Sequence, residues 1–188
     1  MVSETVNKKW VLKKRPEGYP SLDDFEIANS PIPDPKYGEV LIKTLYLSLD
    51  PYMRGRLRDA KSYASPIGLG EVITGEVVGR VIRSNYQSLE VGDIVTANIG
   101  WQQWGSIPGQ MVRKVDSQKT PISTSLGILG MPGLTAYFGL LEIGKPIVGE
   151  TLVVSAASGA VGAIVGQLGK MMGCRVIGTA GTDQKVNR

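Results

Sequence analysis

Short apolar runs separated by glycine- and proline-rich turns occupy residues 1 to about 120 of the chain. These runs and the turns between them predict a β-rich region, with a short helix over Pro51–Leu57. Gly75 and Gly79 lie inside the predicted strand over Val72–Arg83, and two glycines within one strand predict the sharp bending of a small barrel. The predicted strands are Lys8–Lys14, Phe25–Ala28, Glu39–Leu47, Val72–Arg83, Asp93–Ala97 and a further one near Gly109–Val115.

The pattern changes at Ser123, after which helical segments alternate with short apolar strands. Pro132 in a first turn predicts a helix over Gly133–Glu142 that ends at Gly144. Thr182 is predicted to cap the start of another helix. Between these helices the pattern predicts a strand, a helix and a second, parallel strand: Thr151–Val154, Ala160–Met172 and Arg175–Gly178.

The two regions predict two domains, residues 1–122 and residues 123–188. The second domain holds only two parallel strands, whose apolar faces would stay uncovered without further strands. We therefore expect a truncated piece of a longer enzyme, with roughly half of the length missing by the usual size of domains. The predicted fold class is α/β, with a β-rich first domain and the first part of a doubly wound parallel sheet.

The turn over Ala157–Gly162 fits the dinucleotide-binding fingerprint, with Ala157 replacing its first glycine. A buried strand precedes the turn, a helix opens on it, and a second strand follows at the spacing of a β-α-β unit. Gly159 would let the backbone approach a pyrophosphate, and the start of the helix would offer unpaired N–H groups. Gly162 would let the helix press against its strand.

Three glycines form a bare stripe along this helix, at Gly162, Gly166 and Gly169. Each interior glycine costs about 1 kcal/mol relative to alanine, so the stripe indicates close packing. The alternative interpretation is a glycine-rich packing helix that binds no ligand.

The end of the second strand indicates which cofactor binds. NAD sites place Asp or Glu there to hold the ribose hydroxyls, whereas Gly178–Gly181 contains no acid. Lys185 lies in the first turn of the next helix, where the helix dipole disfavours a cation unless an anion faces it. We therefore predict NADPH, with Lys185 at the 2′-phosphate and Arg188 assisting. Two alternatives stay open: Lys185 is an ordinary surface lysine, or Asp183 is a displaced ribose acid.

The composition argues against metal sites, histidine-based catalysis, and nucleic-acid or membrane partners. The chain carries 21 basic and 17 acidic residues, no histidine and one cysteine. Zinc sites need three or four ligands, mostly cysteine and histidine, so we expect no metal, and histidine-based triads are excluded. A single cysteine suits a reducing compartment, which predicts a cytoplasmic protein. The basic residues lack interleaved aromatics and no apolar run approaches about 20 residues, so neither nucleic acid nor a membrane is expected as a partner.

Three collinear segments, Ser48–Arg56, Met131–Leu140 and Ala156–Gly162, resemble the zinc-independent medium-chain dehydrogenases/reductases. The similarity is to the branch of NADPH-dependent alkenal double-bond, prostaglandin and curcumin reductases. It implies a GroES-like β-barrel domain followed by a Rossmann domain, a homodimer, and reduction of the carbon–carbon double bond of α,β-unsaturated aldehydes and ketones.

The resemblance also implies roles for individual residues. Gly181 would contact the adenosine ribose region, and Lys185 the 2′-phosphate. Tyr52 would sit at the substrate and nicotinamide end of the cleft. A further group would line the cofactor where the two domains meet: Met131, Gly133 and Thr135. The pyrophosphate would be contacted by Ala156, Ala157, Ser158, Gly159, Ala160, Val161 and Gly162.

Conjugate reduction delivers hydride to the β-carbon and leaves negative charge on the carbonyl oxygen, so a donor must face that oxygen. Tyr52 is the candidate catalytic residue for this task, although it could instead pack as a cap of the short helix. Asp50 and Arg54 are expected to pair with each other or to fix the loop. The alternative functions are an NADPH-dependent quinone reductase and a catalytically silent NADPH-binding fragment.

Overall fold

The computed structural model describes residues 5–187, which divide into two compact units between Ser123 and Thr124. In the first unit, β1 and β2 form an antiparallel ribbon, and five further strands form an antiparallel sheet in the order β6-β3-β4-β5-β7. A short helix, α1, covers Tyr52–Arg56. The strands are β1 Val6–Leu12, β2 Phe25–Pro31, β3 Glu39–Leu47, β4 Val77–Ser84, β5 Ile94–Ala97, β6 Trp104–Pro108 and β7 Arg113–Lys114.

Two apolar clusters hold this unit together. The larger one is built mainly from β-branched residues, which pack well on a pleated surface: Val40, Ile42, Val77, Val81, Leu89, Val95, Ala97, Ile99 and Ile107. The smaller one contains Leu12, Leu57, Ile67 and Ile73, with Phe25 and Trp101 packed against it. The buried Asn7 links the ribbon to the sheet, because its Nδ2 donates to the Trp104 carbonyl at 2.9 Å and its Oδ1 accepts from the Trp104 N–H at 3.0 Å.

The predicted fold class is confirmed, with an antiparallel β unit followed by a parallel β-α-β unit. Within residues 5–187 the hydrogen-bonded strands form an open five-stranded sheet and a separate ribbon, and not a closed barrel. Isolated bridges, Lys9 with Gln102 and Val11 with Val72, connect the ribbon to the segments beside it.

β1 begins and ends two residues earlier than predicted, and β2 extends to Pro31. Two other strand predictions in the first unit were wrong by more. The segment before β4 makes a single bridge at Val72, because the carbonyl of Gly75 accepts from the Gly100 N–H at 3.0 Å instead of extending a ladder. Of the strand predicted near Gly109–Val115 only the two-residue β7 forms, and β6 was not predicted. β6 ends at Pro108, which has no N–H to donate, a 3₁₀ turn covers Gly109–Met111, and β7 follows.

In the second unit, β8 and β9 form a parallel pair joined through helix α3. Helix α2 continues directly into a π-helical segment over Phe138–Gly144, which ends where Lys145 adopts a left-handed φ of 48°. The predicted end of this helix at Gly144 is thereby confirmed. The elements are α2 Met131–Tyr137, β8 Thr151–Val154, α3 Ala160–Met171, β9 Arg175–Gly178 and α4 Asp183–Val186, preceded by a 3₁₀ helix over Ile122–Leu126. Among the helices of residues 5–187, none has the length and apolar character needed to cross a bilayer.

Candidate functional site

The turn that follows β8 is tied to the carboxyl end of β9. The Thr179 N–H donates to the Val154 carbonyl and the Ala157 N–H donates to the Thr179 carbonyl, both at 2.9 Å. The Gly159 N–H then donates to the Ala156 carbonyl at 2.8 Å and closes the turn. The carboxyl ends of two parallel strands and the start of a helix therefore meet in one place, which is where nucleotides bind in open α/β sheets.

Ala156 carries the backbone strain of this turn. Its φ is 49°, in the left-handed region that costs a residue with a β-carbon roughly 1–2 kcal/mol. The sequence analysis had assigned Ala157, one residue later, as the alanine that replaces the first glycine of the fingerprint. The methyl group of Ala157 instead packs on Gly178, where an added β-carbon would lie 2.6 Å from it. Gly178 thus lets the turn lie directly against the end of β9.

The start of α3 is open to a ligand. Gly159 is the N-cap residue, and no side chain caps the first turn. The first N–H groups of a helix have no acceptor within the helix, so they can bind an anion. Ala160, Val161 and Gly162 form this first turn, and the pyrophosphate contacts expected of them stay a prediction.

The glycine stripe packs as predicted at two of its three positions. A β-carbon added at Gly162 would lie 2.5 Å from the Ala156 carbonyl oxygen, so α3 presses on the turn itself. At Gly169 it would lie 2.5 Å from Leu152 Cδ2, on the parallel pair. At Gly166 the nearest atom would be 3.7 Å away, an ordinary contact.

A groove of about 310 Å³ opens beside the turn. Lys185, from α4, is the single charged residue among those of the described chain that line it, and no carboxylate does. Thr182 is the N-cap residue of α4, as predicted, and Lys185 forms no salt bridge with another described residue. The lining consists of Ala157, Ser158, Gly178, Thr179, Ala180, Lys185 and Val186.

Two residues predicted near the adenosine ribose are not part of this lining. Gly181 follows Ala180, and an added β-carbon there would meet no atom within 4 Å. Asp183, the alternative ribose acid, is exposed in the first turn of α4 and does not line the groove. Arg188 lies outside the described residues.

The three residues predicted on α2 do not share one helix face. Thr135 Oγ1 donates to the Met131 carbonyl at 2.7 Å, so these two residues are one turn apart on an exposed face. Gly133 is buried, and an added β-carbon would overlap the Ile128 carbonyl oxygen. Packing against the preceding turn therefore explains Gly133 without a ligand.

Tyr52 begins α1 and is half-buried. Burial raises the pKa of its phenol above the ordinary value, and the Asp50 carboxylate raises it further. A hydrogen bond with Thr74 and the Arg56 charge act in the opposite direction, while Glu76 adds to the rise. The net effect disfavours the phenolate, and the protonated phenol can donate a hydrogen bond.

Glu76 is a member of this group that the sequence analysis did not single out. Burial raises the pKa of its carboxyl, and the Arg113 charge and a Thr96 hydrogen bond partly offset that rise. The one signal in the sequence was an acid within an apolar strand-like run. Arg54 does not pair with Asp50 in a salt bridge between described residues. Its Nη2 donates to the Gly18 carbonyl at 2.6 Å, so the loop-fixing alternative is the one observed.

Glu76→Gln should lower the pKa of the Tyr52 phenol. The substitution removes a negative charge that disfavours the phenolate, so less alkali is needed to ionise Tyr52. The pKa of Tyr52 is higher in the folded protein than in the unfolded chain, so the protonated phenol stabilises the fold. That contribution to the free energy of unfolding is lost as the pH rises through the folded-state pKa. Ultraviolet titration of tyrosinate, with the Tyr52→Phe curve subtracted, measures the shift. Glu26→Gln, an exposed acid on β2, is the matched control, and equal curves for both Gln variants would contradict the expectation.

Comparison with known proteins places the chain among oxidoreductases. Residues 8–115 match the family described as the N-terminal domain of oxidoreductase. The chain is 49% identical over 179 residues to the NADPH-dependent curcumin reductase of Escherichia coli, covering 95% of this chain and 52% of that protein. It is 45% identical over 193 residues to the NADP⁺-dependent 2-alkenal reductase of Nicotiana tabacum, covering 100% of this chain and 56% of that protein.

A solved structure shows the same relationship. CurA from Vibrio vulnificus in complex with NADPH superposes with a TM-score of 0.89 and 50% identity, over 94% of this chain and 52% of that one. The chain spans about half the length of the relatives it matches. The chain therefore belongs to the medium-chain dehydrogenase/reductase family, in the branch that contains the curcumin and 2-alkenal reductases.

Proposed function

We propose that this protein binds NADPH and reduces the carbon–carbon double bond of α,β-unsaturated aldehydes and ketones. The observation that carries the proposal is the groove where the glycine turn, the end of β9 and Lys185 meet. The names of the relatives support it, because the Escherichia coli protein is an NADPH-dependent curcumin reductase and the tobacco protein a 2-alkenal reductase.

The residues of the second unit fit a phosphorylated dinucleotide. The uncapped start of α3 offers N–H groups to a pyrophosphate, and Ser158, in the turn before it, lines the groove. Lys185 supplies a cation at the groove, where an NAD site would instead carry an acid for the ribose hydroxyls. The groove therefore suits a 2′-phosphate better than a free 2′-hydroxyl.

When bound, NADPH supplies the hydride that reduces the β-carbon of the substrate. Negative charge then develops on the substrate carbonyl oxygen, and the proposal assigns Tyr52 to donate a hydrogen bond to it. A tyrosine phenol is protonated at physiological pH, so it can act as a neutral donor; burial, Asp50 and Glu76 raise its pKa and disfavour the phenolate further. Solvent protonates the α-carbon. The proposed step uses no metal ion.

Lys185→Ala should weaken NADPH binding about 10- to 100-fold and leave NADH binding nearly unchanged. A charge-assisted hydrogen bond to phosphate contributes about 1.5–3 kcal/mol to binding. NADH has no 2′-phosphate, so it cannot form this bond and should not be affected by its removal. Isothermal titration calorimetry with both cofactors measures the difference. Lys170→Ala removes an exposed lysine that lies outside the groove and is the matched control. Equal losses for NADPH and NADH would mean that Lys185 does not bind the 2′-phosphate.

The reaction is tested by following NADPH oxidation by the intact protein in the presence of a 2-alkenal or a quinone. Oxidation with the alkenal, and reduced turnover in Tyr52→Phe, are the expected results. Oxidation of NADPH with the quinone but not with the alkenal would contradict the proposal and identify a quinone reductase instead. Binding of NADPH without oxidation by either compound would indicate a catalytically silent module.

A further inference from the structure

Two further polar side chains are linked to Tyr52 by hydrogen bonds. The phenol of Tyr52 shares a hydrogen bond with Thr74, and Thr74 Oγ1 donates to Asn98 Oδ1 at 3.3 Å. The three side chains form a hydrogen-bonded relay that runs from the half-buried Tyr52 to the exposed Asn98. The proposed function uses Tyr52 and makes no use of the other two members.

Backbone hydrogen bonds hold the middle of the relay in place. The carbonyl of the residue before Thr74 accepts from the Trp101 N–H at 2.8 Å, and the carbonyl of the residue after it accepts from the Gly100 N–H at 3.0 Å. Both donors follow within three residues of Asn98. The segments that carry Thr74 and Asn98 are therefore fixed against each other on both sides of the Thr74 side chain.

The number of protons limits what the relay can do. A hydroxyl group carries one proton, so Thr74 can donate to only one of its two partners at a time. While Thr74 donates to Asn98, its hydrogen bond with Tyr52 must use the proton of the phenol, and Tyr52 then has none to offer a substrate. When Thr74 donates to Tyr52 instead, the phenol accepts that bond and its own proton is free to face another acceptor.

We propose that Thr74 is a positioning residue that sets the direction in which Tyr52 donates, and that Asn98 competes with Tyr52 for the Thr74 proton. This role rests on the proposed function, in which Tyr52 donates to the substrate carbonyl oxygen. Before substrate binds, the phenol donates to Thr74. As negative charge develops on the substrate oxygen, the phenol donates to that oxygen, and Thr74 turns from Asn98 to donate to Tyr52. Asn98 is exposed, so water can replace the bond it loses.

Ultraviolet titration of tyrosinate, with the matching Tyr52→Phe curve subtracted, tests the relay without cofactor or substrate. Thr74→Val removes the hydroxyl that can donate to the phenolate, so the pKa of Tyr52 should rise. Thr74→Ser keeps the hydroxyl and should keep the pKa near that of the parent protein. An unchanged pKa in Thr74→Val, or an equal rise in both variants, would overturn the proposal.

Asn98→Ala should shift the pKa of Tyr52 in the opposite direction. Without Asn98, Thr74 gives up no bond when it turns to the phenolate, so the pKa should fall, and it should not change when Thr74 is already Val. Asn29→Ala, which removes an exposed asparagine of β2, is the matched control and should leave the pKa unchanged. No shift in Asn98→Ala, or the same shift in the Thr74→Val background, would show that Asn98 does not compete for the proton.

Turnover of a 2-alkenal with NADPH by the intact protein provides the second arm. Thr74→Val should lower kcat about 2- to 10-fold, the effect of one neutral hydrogen bond, with little change in KM because the bond forms as charge develops. Thr74→Ser should restore most of the loss. In the Tyr52→Phe background Thr74→Val should cost nothing more, and a further loss would overturn the proposal. A parent protein that does not turn over would contradict the proposed function, while the titrations would still decide the relay.

Discussion

Gly133→Ala is expected to unfold the second unit or bring it close to unfolding. The added β-carbon would overlap the Ile128 carbonyl oxygen and lie 2.5 Å from the Ile128 carbonyl carbon. Both are backbone atoms, so no side-chain rotation relieves the overlap. Helix α2 would have to separate from the turn before it, where the Gly133 N–H donates to the Gly127 carbonyl at 3.1 Å. We expect a loss of about 3 kcal/mol or more in the free energy of unfolding, the upper part of the range for overpacking.

Gly139→Ala is the matched control for this experiment. Gly139 lies in the helical segment that continues α2, and an added β-carbon would meet no atom within 4 Å. Alanine should therefore be neutral or stabilise by up to about 1 kcal/mol. Urea unfolding followed by hydrogen exchange of the amides in α2 and α3 measures both variants. Similar stabilities for Gly133→Ala and Gly139→Ala would show that α2 does not pack on this turn as described.

Gly162→Ala is expected to damage the fold and the cofactor groove together. The added β-carbon would lie 2.5 Å from the Ala156 carbonyl oxygen and 3.0 Å from the Ala157 Cα. The turn cannot easily yield, because Ala156 already holds a φ of 49°. Helix α3 must move away from the turn, and its N–H groups move with it. We expect a loss of about 2 kcal/mol in stability and at least a tenfold loss in NADPH affinity.

Gly166→Ala separates this effect from helix propensity. It makes the same chemical change in the same helix, but the nearest atom to the added β-carbon would be Val176 Cγ1 at 3.7 Å. Stability should rise slightly or stay unchanged, and NADPH should bind as to the parent chain. Urea midpoints and calorimetric titrations of the two variants provide the comparison. If Gly166→Ala lost as much NADPH affinity as Gly162→Ala, contact with the turn would not be the cause.

The second unit was the part best predicted from the sequence. The strands Thr151–Val154 and Arg175–Gly178 were predicted with the bounds that the structure shows, and α3 ends one residue earlier than expected. Their signals are local: apolar runs of strand length, a glycine turn and a helical stripe. Each signal acts within a few residues of the backbone it shapes, so it can be read along the chain.

The first unit was harder to predict because the conformation of its backbone depends on pairing with residues that are far away in the sequence. The segment over Val72–Glu76 has the composition of a strand. Its Gly75 instead lies against Trp101, where an added β-carbon would be 2.9 Å from the indole ring. The antiparallel sheet pairs residues far apart in sequence, such as Glu39 with Pro108, and no periodicity reports those pairings.

The same division applies to the candidate site. The turn over Ala157–Gly162 and Lys185 were named from sequence as a nucleotide site, and the structure shows Ala157, Ser158 and Lys185 lining one groove. Their use by NADPH remains a prediction. The surroundings of Tyr52 could not be derived from the sequence, because the charge of Glu76 acts on the tyrosine only once folding has brought the two residues together.

By itself the sequence determined the local β-α-β unit, the lack of histidine with a single cysteine, and the family. Tertiary structure alone decided that Ala156 bears the strain of the turn, that Gly133 packs on backbone, and that Arg54 binds the loop at Gly18 rather than Asp50. The reason is physical: secondary structure follows from backbone sterics and side-chain periodicity over a few residues. Close backbone approach and the pairing of buried polar groups depend on segments that meet only after the chain has folded.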